Sequence, residues 1–137
     1  MSEVNEFESI VPYTDEEAVE ALGKLADHPA VMEISKSIFP DQKPEFLRTV
    51  LKSLKSIDEF QSLVMNKAVE WVLATTAHNF SYDGIANLKK IQGKFLALSN
   101  HRDIILDPAI TQVVLYRNGI PTTEIAVGSN LLSNKYI

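Results

Sequence analysis

Apolar residues recur at helical spacing through the first half of the chain, between residues that begin or end helices. Thr14 and Glu17 form a capping box, which predicts a first helix that reaches Ala26. Asp27-His28-Pro29 ends this helix and begins a second one, and Pro44 begins a third. These amphipathic segments predict a helical bundle. The residues expected to face its core are Ala18, Val19, Leu22, Leu25, Val31, Ile34, Ile38, Phe39, Phe46, Leu47, Val50, Leu51 and Leu54.

The fourth predicted helix is the most apolar part of the chain. Ser56 and Glu59 form a second capping box, and the helix is expected to run from about Ile57 to Thr76. Because its polar stripe is narrow, this helix either packs on two sides or lies against something outside the chain. In the first case Trp71 fills a core, and in the second it belongs to a groove for an apolar chain or to a patch that contacts a membrane surface. We expect the helical region to span residues 1–77.

After residue 77 the pattern changes to short apolar runs of strand length. Phe80–Tyr82 alternates with polar neighbours, Lys94–Leu98 is a short apolar run, and Thr122–Val127 is a third run of the same kind. Runs of this length, bounded by turn residues, are typical of buried strands. They predict that residues 78–137 begin an α/β layer.

A helix is expected between the second and third of these runs. Asp107 and Pro108 fit an N-cap and a first helical residue, Ala109–Asn118 has apolar residues at helical spacing, and Gly119 fits a left-handed stop. A strand, helix and strand in this order predict a right-handed crossover between parallel strands. The expected fold class is therefore α/β, or α+β for a chain in which a helical bundle precedes the first strand-helix-strand of the layer.

Composition narrows the function classes. The chain has 137 residues, a hydrophobic content of 45% and a formal net charge of -5, which suits one ordinary core and argues against a nucleic-acid-binding face. The chain contains no cysteine, which excludes disulfides and thiol chemistry and fits a cytoplasmic protein. No apolar run approaches the roughly 20 residues that span a bilayer, so any membrane contact is expected to be peripheral. The three histidines are scattered, so no metal site is predicted.

Polar residues crowd together in residues 99–108, directly after the predicted strand Lys94–Leu98. His101 is placed just beyond the carboxyl end of that strand, which is where ligands bind in open α/β sheets. In one interpretation His101 is a general base, and Asp103 or Asp107 holds its other ring nitrogen. In another, His101 only bonds a backbone carbonyl and Asp107 only caps a helix. Both interpretations are open from the residues alone.

A third interpretation, a protein-kinase catalytic loop, fails. His101-Arg102-Asp103 spells the opening triplet of that loop. However, Pro108 occupies the position of the metal-binding asparagine, and no glycine-rich phosphate loop precedes the triplet. We therefore set phosphoryl transfer of this kind aside.

Residues 98–108, together with Gly119–Leu132, resemble the first conserved block of the glycerol-phosphate and lysophosphatidic acid acyltransferases, in the version associated with Bacteroides-like bacteria. The hallmark of that family is H-x-x-x-x-D, a histidine base and an aspartate that orients it. This sequence departs from the spacing, because four residues after His101 lead to Leu106 and the aspartate comes one position later. By resemblance, the orienting role goes to Asp107, with Asp103 as an additional carboxylate.

The resemblance implies transfer of a fatty acyl group from acyl carrier protein or coenzyme A to the hydroxyl of a glycerol-phosphate or lysophospholipid. It implies His101, Asp107 and Asp103 as the catalytic group, and Asn100 and Arg102 as residues that support the loop or polarise the thioester carbonyl. No metal or bound organic cofactor is required, since the acyl carrier is a substrate.

The later conserved blocks of the family are absent from these residues, so we expect the chain to be the amino-terminal part of a longer acyltransferase and inactive by itself. The alternative is a non-catalytic helical module that binds an apolar partner or a membrane surface. Binding that depends on Trp71 and its neighbours would favour the module.

Overall fold

The computed structural model describes residues 11–100 and 102–128. The described residues belong to two compact units, one containing the chain up to Met65 with Val127 and Gly128, and the other containing Asn66–Ala126. A π-helical segment, Gln61–Met65, follows directly on the fourth α-helix. The α-helices are α1 (Asp15–Leu25), α2 (Pro29–Ile38), α3 (Phe46–Ser53), α4 (Ile57–Phe60), α5 (Asn66–Thr76), α6 (Ile85–Leu88) and α7 (Leu106–Arg117).

The first two helices begin where the capping residues predict. The Thr14 hydroxyl accepts a hydrogen bond from the Glu17 N–H at 3.3 Å, and the Glu17 carboxylate accepts one from the Thr14 N–H at 2.9 Å. This reciprocal pair confirms the predicted capping box of α1. The helix α2 begins at Pro29, and the His28 side chain caps it by accepting a hydrogen bond from the Ala30 N–H at 3.2 Å. Local side chains therefore fix both starts.

The core of the first unit is built from α1, α2, α3 and the residues that follow them, largely as the apolar spacing predicts. Ile34 is an exception, because 46% of its surface is exposed although it was expected to face inward. Ser35, the next residue of α2, is fully buried in its place. The buried apolar residues of this core are Leu22, Ala26, Val31, Leu47, Leu51, Leu54 and Val64.

Ser35 is buried because it completes a neighbouring helix. The N-cap residue of α3, Glu45, makes no capping hydrogen bond with its side chain. The Ser35 hydroxyl instead accepts a hydrogen bond from the Leu47 N–H at 3.3 Å, across the contact between α2 and α3. This bond pairs one of the N–H groups that the start of a helix leaves without an intrahelical partner.

The predicted long helix between Ile57 and Thr76 is present, but it is not uniform. Its central segment, Gln61–Met65, is π-helical. A π-helical turn takes more residues than an α-helical turn and so shifts the side chains that follow it around the axis. Trp71 is 38% exposed, so it does not fill a core as one interpretation of the sequence expected.

The second unit packs α5 against α7. Val69, Leu73 and Val113 are its buried apolar residues, and Phe80 and Ile110 pack against them. At the carboxyl end of α7, Gly119 has a φ of 67°, which confirms the predicted left-handed stop.

The prediction of an α/β fold is wrong. Residues 11–100 and 102–128 contain no β-strand, and the protein is helical in this part. In the expected strand Lys94–Leu98, Leu96 is 83% exposed and Leu98 is 87% exposed, whereas a central strand buries such residues. A strand needs a second segment of backbone to pair with, and the apolar run alone does not supply one.

The other two expected strands have different partners from those of a sheet. Phe80 packs on the core of the second unit beside α5 and α7. The backbone N–H of Thr123 donates to the side-chain oxygen of Gln112 at 2.8 Å, and the Gln112 amide donates to the Thr123 hydroxyl at 2.9 Å. A side chain of α7 thus binds the Thr123 N–H, which a strand at this position would use for pairing.

We predict that Ser35→Ala lowers the free energy of unfolding by about 1–2 kcal/mol, because it leaves the Leu47 N–H buried without its acceptor. Urea denaturation followed by circular dichroism measures this change, and faster hydrogen exchange at the Leu47 amide locates it. Ser37→Ala is the matched control on the same helix, since Ser37 is exposed. Equal stability and equal Leu47 exchange in the two variants would contradict the proposed capping role.

Candidate functional site

The loop that the sequence singled out lies directly before α7. Asn100 and Arg102 are exposed, and the expected strand does not lead into this loop. Contrary to the prediction from the sequence, the loop therefore does not lie at the edge of a sheet, and α7 is the element that holds it. His101 lies outside the described residues, so its predicted role as a base stays a prediction.

Ile105, the residue directly before α7, makes no capping hydrogen bond with its side chain, and Asp103 supplies the acceptor at this helix start. One oxygen of its carboxylate accepts hydrogen bonds from the Ile105 N–H at 2.9 Å and from the Leu106 N–H at 2.7 Å. These donors lie two and three residues further on, which is the spacing of an N-cap. The sequence placed the cap at Asp107, and this expectation is wrong.

Asp107 lies instead within the first turn of α7 and reaches back along the loop. One of its carboxylate oxygens accepts hydrogen bonds from the Arg102 N–H at 2.6 Å and from the Asp103 N–H at 2.8 Å. The two acids therefore form a reciprocal arrangement, since each carboxylate bonds backbone close to the other residue. It resembles a capping box with one additional residue between its members.

This geometry determines what the two acids can do. The Arg102 nitrogen is the peptide nitrogen that follows residue 101, so the Asp107 carboxylate bonds the backbone at the next position along the chain from the predicted base. An ionised carboxylate has about four acceptor positions, and the Arg102 and Asp103 N–H groups share one oxygen of Asp107. The structure thus places Asp107 and Asp103 together at one loop, as the sequence expected. It places the Arg102 backbone there as well.

Apolar side chains are exposed immediately before and after this loop. Phe95 is 39% exposed, Leu96 83% and Leu98 87%, and on the far side Ile105 is 73% exposed. Between residues 89 and 105 the chain has four basic residues and one acidic residue, although its overall net charge is -5. This exposed apolar segment, residues 91–100 and 102–105, contains Lys94, Arg102 and Asp103, and it directly follows Lys89 and Lys90.

A second polar feature, which the sequence analysis missed, lies in the Asn66–Ala126 unit. The Arg117 guanidinium binds the Glu70 carboxylate through two hydrogen bonds, one of them from Nε to Oε1 at 2.7 Å. The same guanidinium lies over the Phe80 ring, 5.4 Å from its centre. Together with Leu73 and Ala74, these residues line a shallow cavity.

The ion pair shifts the pKa values of both Glu70 and Arg117. The hydrogen bond from Arg117 lowers the pKa of the Glu70 carboxyl below its ordinary value of 4.5, and the same bond raises the pKa of the guanidinium. Glu70 and Arg117 are 47 positions apart, so no local spacing rule could have paired them. Because the two charges satisfy each other, the pair acts first as a link between α5 and α7.

Among the described residues, no three histidine or acidic side chains gather closely enough to hold a metal ion. No helix in the described part of the chain has the length and apolar character needed to cross a membrane. Comparison with protein-family models, with curated proteins and with solved structures gives no match.

We predict that Glu70→Gln lowers the free energy of unfolding by about 0.5–1 kcal/mol at pH 7, because it removes the charge that Arg117 binds. The folded pKa of Glu70 is lowered, so its stabilising effect is complete above the ordinary value of 4.5 and is lost as the pH falls through the lower folded pKa. The difference between the two proteins should therefore vanish in acid.

Fluorescence of Trp71, which is the single tryptophan and lies in α5, measures unfolding of this unit. Glu124→Gln is the control, because it removes an exposed glutamate charge from the same unit. A Glu70 effect that persists unchanged at pH 3, or that Glu124→Gln reproduces, would show that the ion pair is not its source.

Proposed function

We propose that this chain supplies the acyl-transfer base of an acyltransferase that acts on a glycerol-phosphate or lysophospholipid hydroxyl. The observation that supports this proposal most directly is the position of the Asp107 carboxylate, bonded to the N–H groups of Arg102 and Asp103 directly after His101. A general base of this kind needs a carboxylate that fixes the tautomer of its imidazole. The resemblance of residues 98–108 to the acyltransferase block supports the choice of reaction.

In the proposed reaction, the imidazole of His101 takes the proton of the acceptor hydroxyl while the hydroxyl oxygen attacks the carbonyl carbon of the acyl thioester. A new carbon–oxygen bond forms, the carbon–sulfur bond breaks and the thiolate leaves. The thiolate then takes the proton from the imidazolium, so the products are an ester and the free thiol of acyl carrier protein or coenzyme A. Asp107 stabilises the transient imidazolium.

The neighbouring polar residues have supporting roles in this proposal. Asn100 and Arg102 are exposed beside the predicted base, where they are accessible to a thioester carbonyl. The donor is a substrate, so the reaction as proposed uses no bound cofactor and no metal.

We predict that His101→Ala lowers the turnover number about 10²- to 10⁴-fold in the natural gene product that contains this chain, which is the range that a positioned base contributes. Mass spectrometry of the acylated product measures the turnover. The assay offers glycerol 3-phosphate or a lysophospholipid as acceptor and acyl carrier protein or coenzyme A thioesters as donors.

His78→Ala is the matched control, since His78 is an exposed histidine at some distance along the chain. It should leave the turnover unchanged. Full turnover in His101→Ala, or an equal loss in both variants, would exclude His101 as the base.

The exposed apolar segment favours a second candidate function, which is binding to an anionic membrane surface without catalysis. Exposed leucines next to basic residues suit the boundary between acyl chains and negatively charged headgroups. Lys89, Lys90, Lys94 and Arg102 supply the positive charge in a chain that is otherwise acidic. Such contact would be peripheral.

We predict that the chain sediments with vesicles rich in anionic lipid, that it does so less with neutral vesicles, and that salt weakens this binding. Replacing Leu96 and Leu98 together by serine should weaken binding about tenfold or more, because both side chains are largely exposed and available for insertion.

Leu63→Ser is the control, since Leu63 is also an exposed leucine, 53% accessible, but belongs to the other unit. Equal binding to neutral and anionic vesicles, or equal loss in the control, would exclude the segment as a membrane contact. Loss on Trp71→Ala alone would assign the binding to α5 instead.

A further inference from the structure

Asp103 and Asp107 are both candidates for the acid that orients His101, and spacing along the chain does not separate them. The hydrogen bonds of the two carboxylates distinguish Asp103 from Asp107. Asp103 bonds forward, to the N–H groups of Ile105 and Leu106, at 2.9 and 2.7 Å. Asp107 bonds backward, to the N–H groups at positions 102 and 103, at 2.6 and 2.8 Å.

We propose that Asp103 is a positioning residue, which holds the start of α7 and thereby keeps Asp107 bonded to the backbone that follows residue 101, and that the charge of Asp103 takes no part in orienting the imidazole. This inference rests on the proposed function, because it concerns the same loop. It assigns different roles to the two acids. Asp103 acts only as a hydrogen-bond acceptor, whereas the role of Asp107 requires its negative charge.

Asp103 supplies hydrogen-bond acceptors that the start of α7 requires. The start of a helix leaves N–H groups without partners, and in α7 the next residue after Asp107 is Pro108, which has no N–H group. One oxygen of Asp103 accepts both the Ile105 and the Leu106 N–H. The side-chain oxygen of asparagine or serine at this position is an equally good N-cap acceptor, so the negative charge of Asp103 is dispensable for this role.

Asp103 is also connected directly to Asp107. The N–H of Asp103 donates to the Asp107 carboxylate, so the residue that caps the helix is itself held by an acid of the first turn. If the cap is lost, the first turn of α7 frays and Asp107 loses its fixed position relative to Arg102. An effect of Asp103 on the reaction is therefore expected to be indirect, through the placement of Asp107.

The two acids differ in whether their role requires a negative charge. An acid that orients a histidine base also stabilises the imidazolium, and an amide of the same shape does not, so an Asp→Asn change at that position is severe. Asp107 is the acid bonded to the peptide nitrogen that follows residue 101. The carboxylate of Asp103 is engaged two and three residues further along the chain.

The test compares matched substitutions at the two positions in the natural gene product that contains this chain. Asp103→Asn and Asp103→Ser keep the acceptor and should retain activity within about threefold, with an unchanged melting temperature. Asp103→Ala removes the acceptor and should lower the melting temperature by about 2–4 °C. Its turnover should also fall, and the conservative variants should restore both quantities.

Asp107→Asn keeps the shape of the side chain and loses only the charge. It should lower the turnover at least about 10²-fold. It should also shift the basic-group pKa in the pH profile of kcat/KM downward, because a negative charge beside the imidazolium is removed. In Asp103→Asn the pKa of the basic group in this profile should be unchanged. A measurement of stability alone would not distinguish the two variants in this way.

The possible outcomes separate this inference from the proposed function. A loss in Asp103→Asn as large as that in Asp107→Asn, with the same displacement of the pH profile, would overturn the division of roles. Failure of Asp103→Asn and Asp103→Ser to restore the melting temperature would overturn the cap. Full activity in His101→Ala would overturn the proposed function and with it the positioning role, while the melting temperatures would still decide whether Asp103 caps α7.

Discussion

The backbone N–H groups at the beginning of a helix have no partner within that helix, and the need to supply acceptors for them governs this structure. Some acceptors come from the adjoining residues, as Thr14 does for α1. Others come from remote elements. The Ser35 hydroxyl of α2 accepts the Leu47 N–H of α3, and the Asp15 carboxylate of α1 accepts the Ile57 N–H of α4. These bonds join helices of the first unit to one another and are as much a part of its packing as the apolar core.

The same constraint shapes the candidate site. At the start of α7, two acids rather than one serve the backbone, with Asp103 bonding forward and Asp107 bonding backward. Two acids are thereby held at the beginning of a helix, where the helix dipole favours negative charge. A loop built in this way fixes the backbone on one side of residue 101. The structure therefore holds these two acids at a helix start and not at the edge of a sheet.

The grouping of polar residues at this loop could be predicted from the sequence, but not their hydrogen bonds. The grouping of Asp103, Asp107 and Arg102 follows from their closeness along the chain, and the structure places them together. Which acid caps the helix could not be predicted, since both aspartates precede an apolar helical pattern and differ only in where the chain turns. The pair Glu70 and Arg117 was beyond local analysis, because its members come from different helices.

The sequence by itself determined those features that arise from neighbouring residues. The capping box at Thr14, the extent of the helix from Ile57 to Thr76 and the left-handed stop at Gly119 each depend on contacts within one or two turns. Only the tertiary structure decided that Lys94–Leu98 does not form a strand. A strand exists only where a second backbone segment pairs with it, and an apolar run does not determine whether such a segment is present. The tertiary structure also decided that Ser35 is buried, since the N–H group that it serves belongs to a residue 12 positions away.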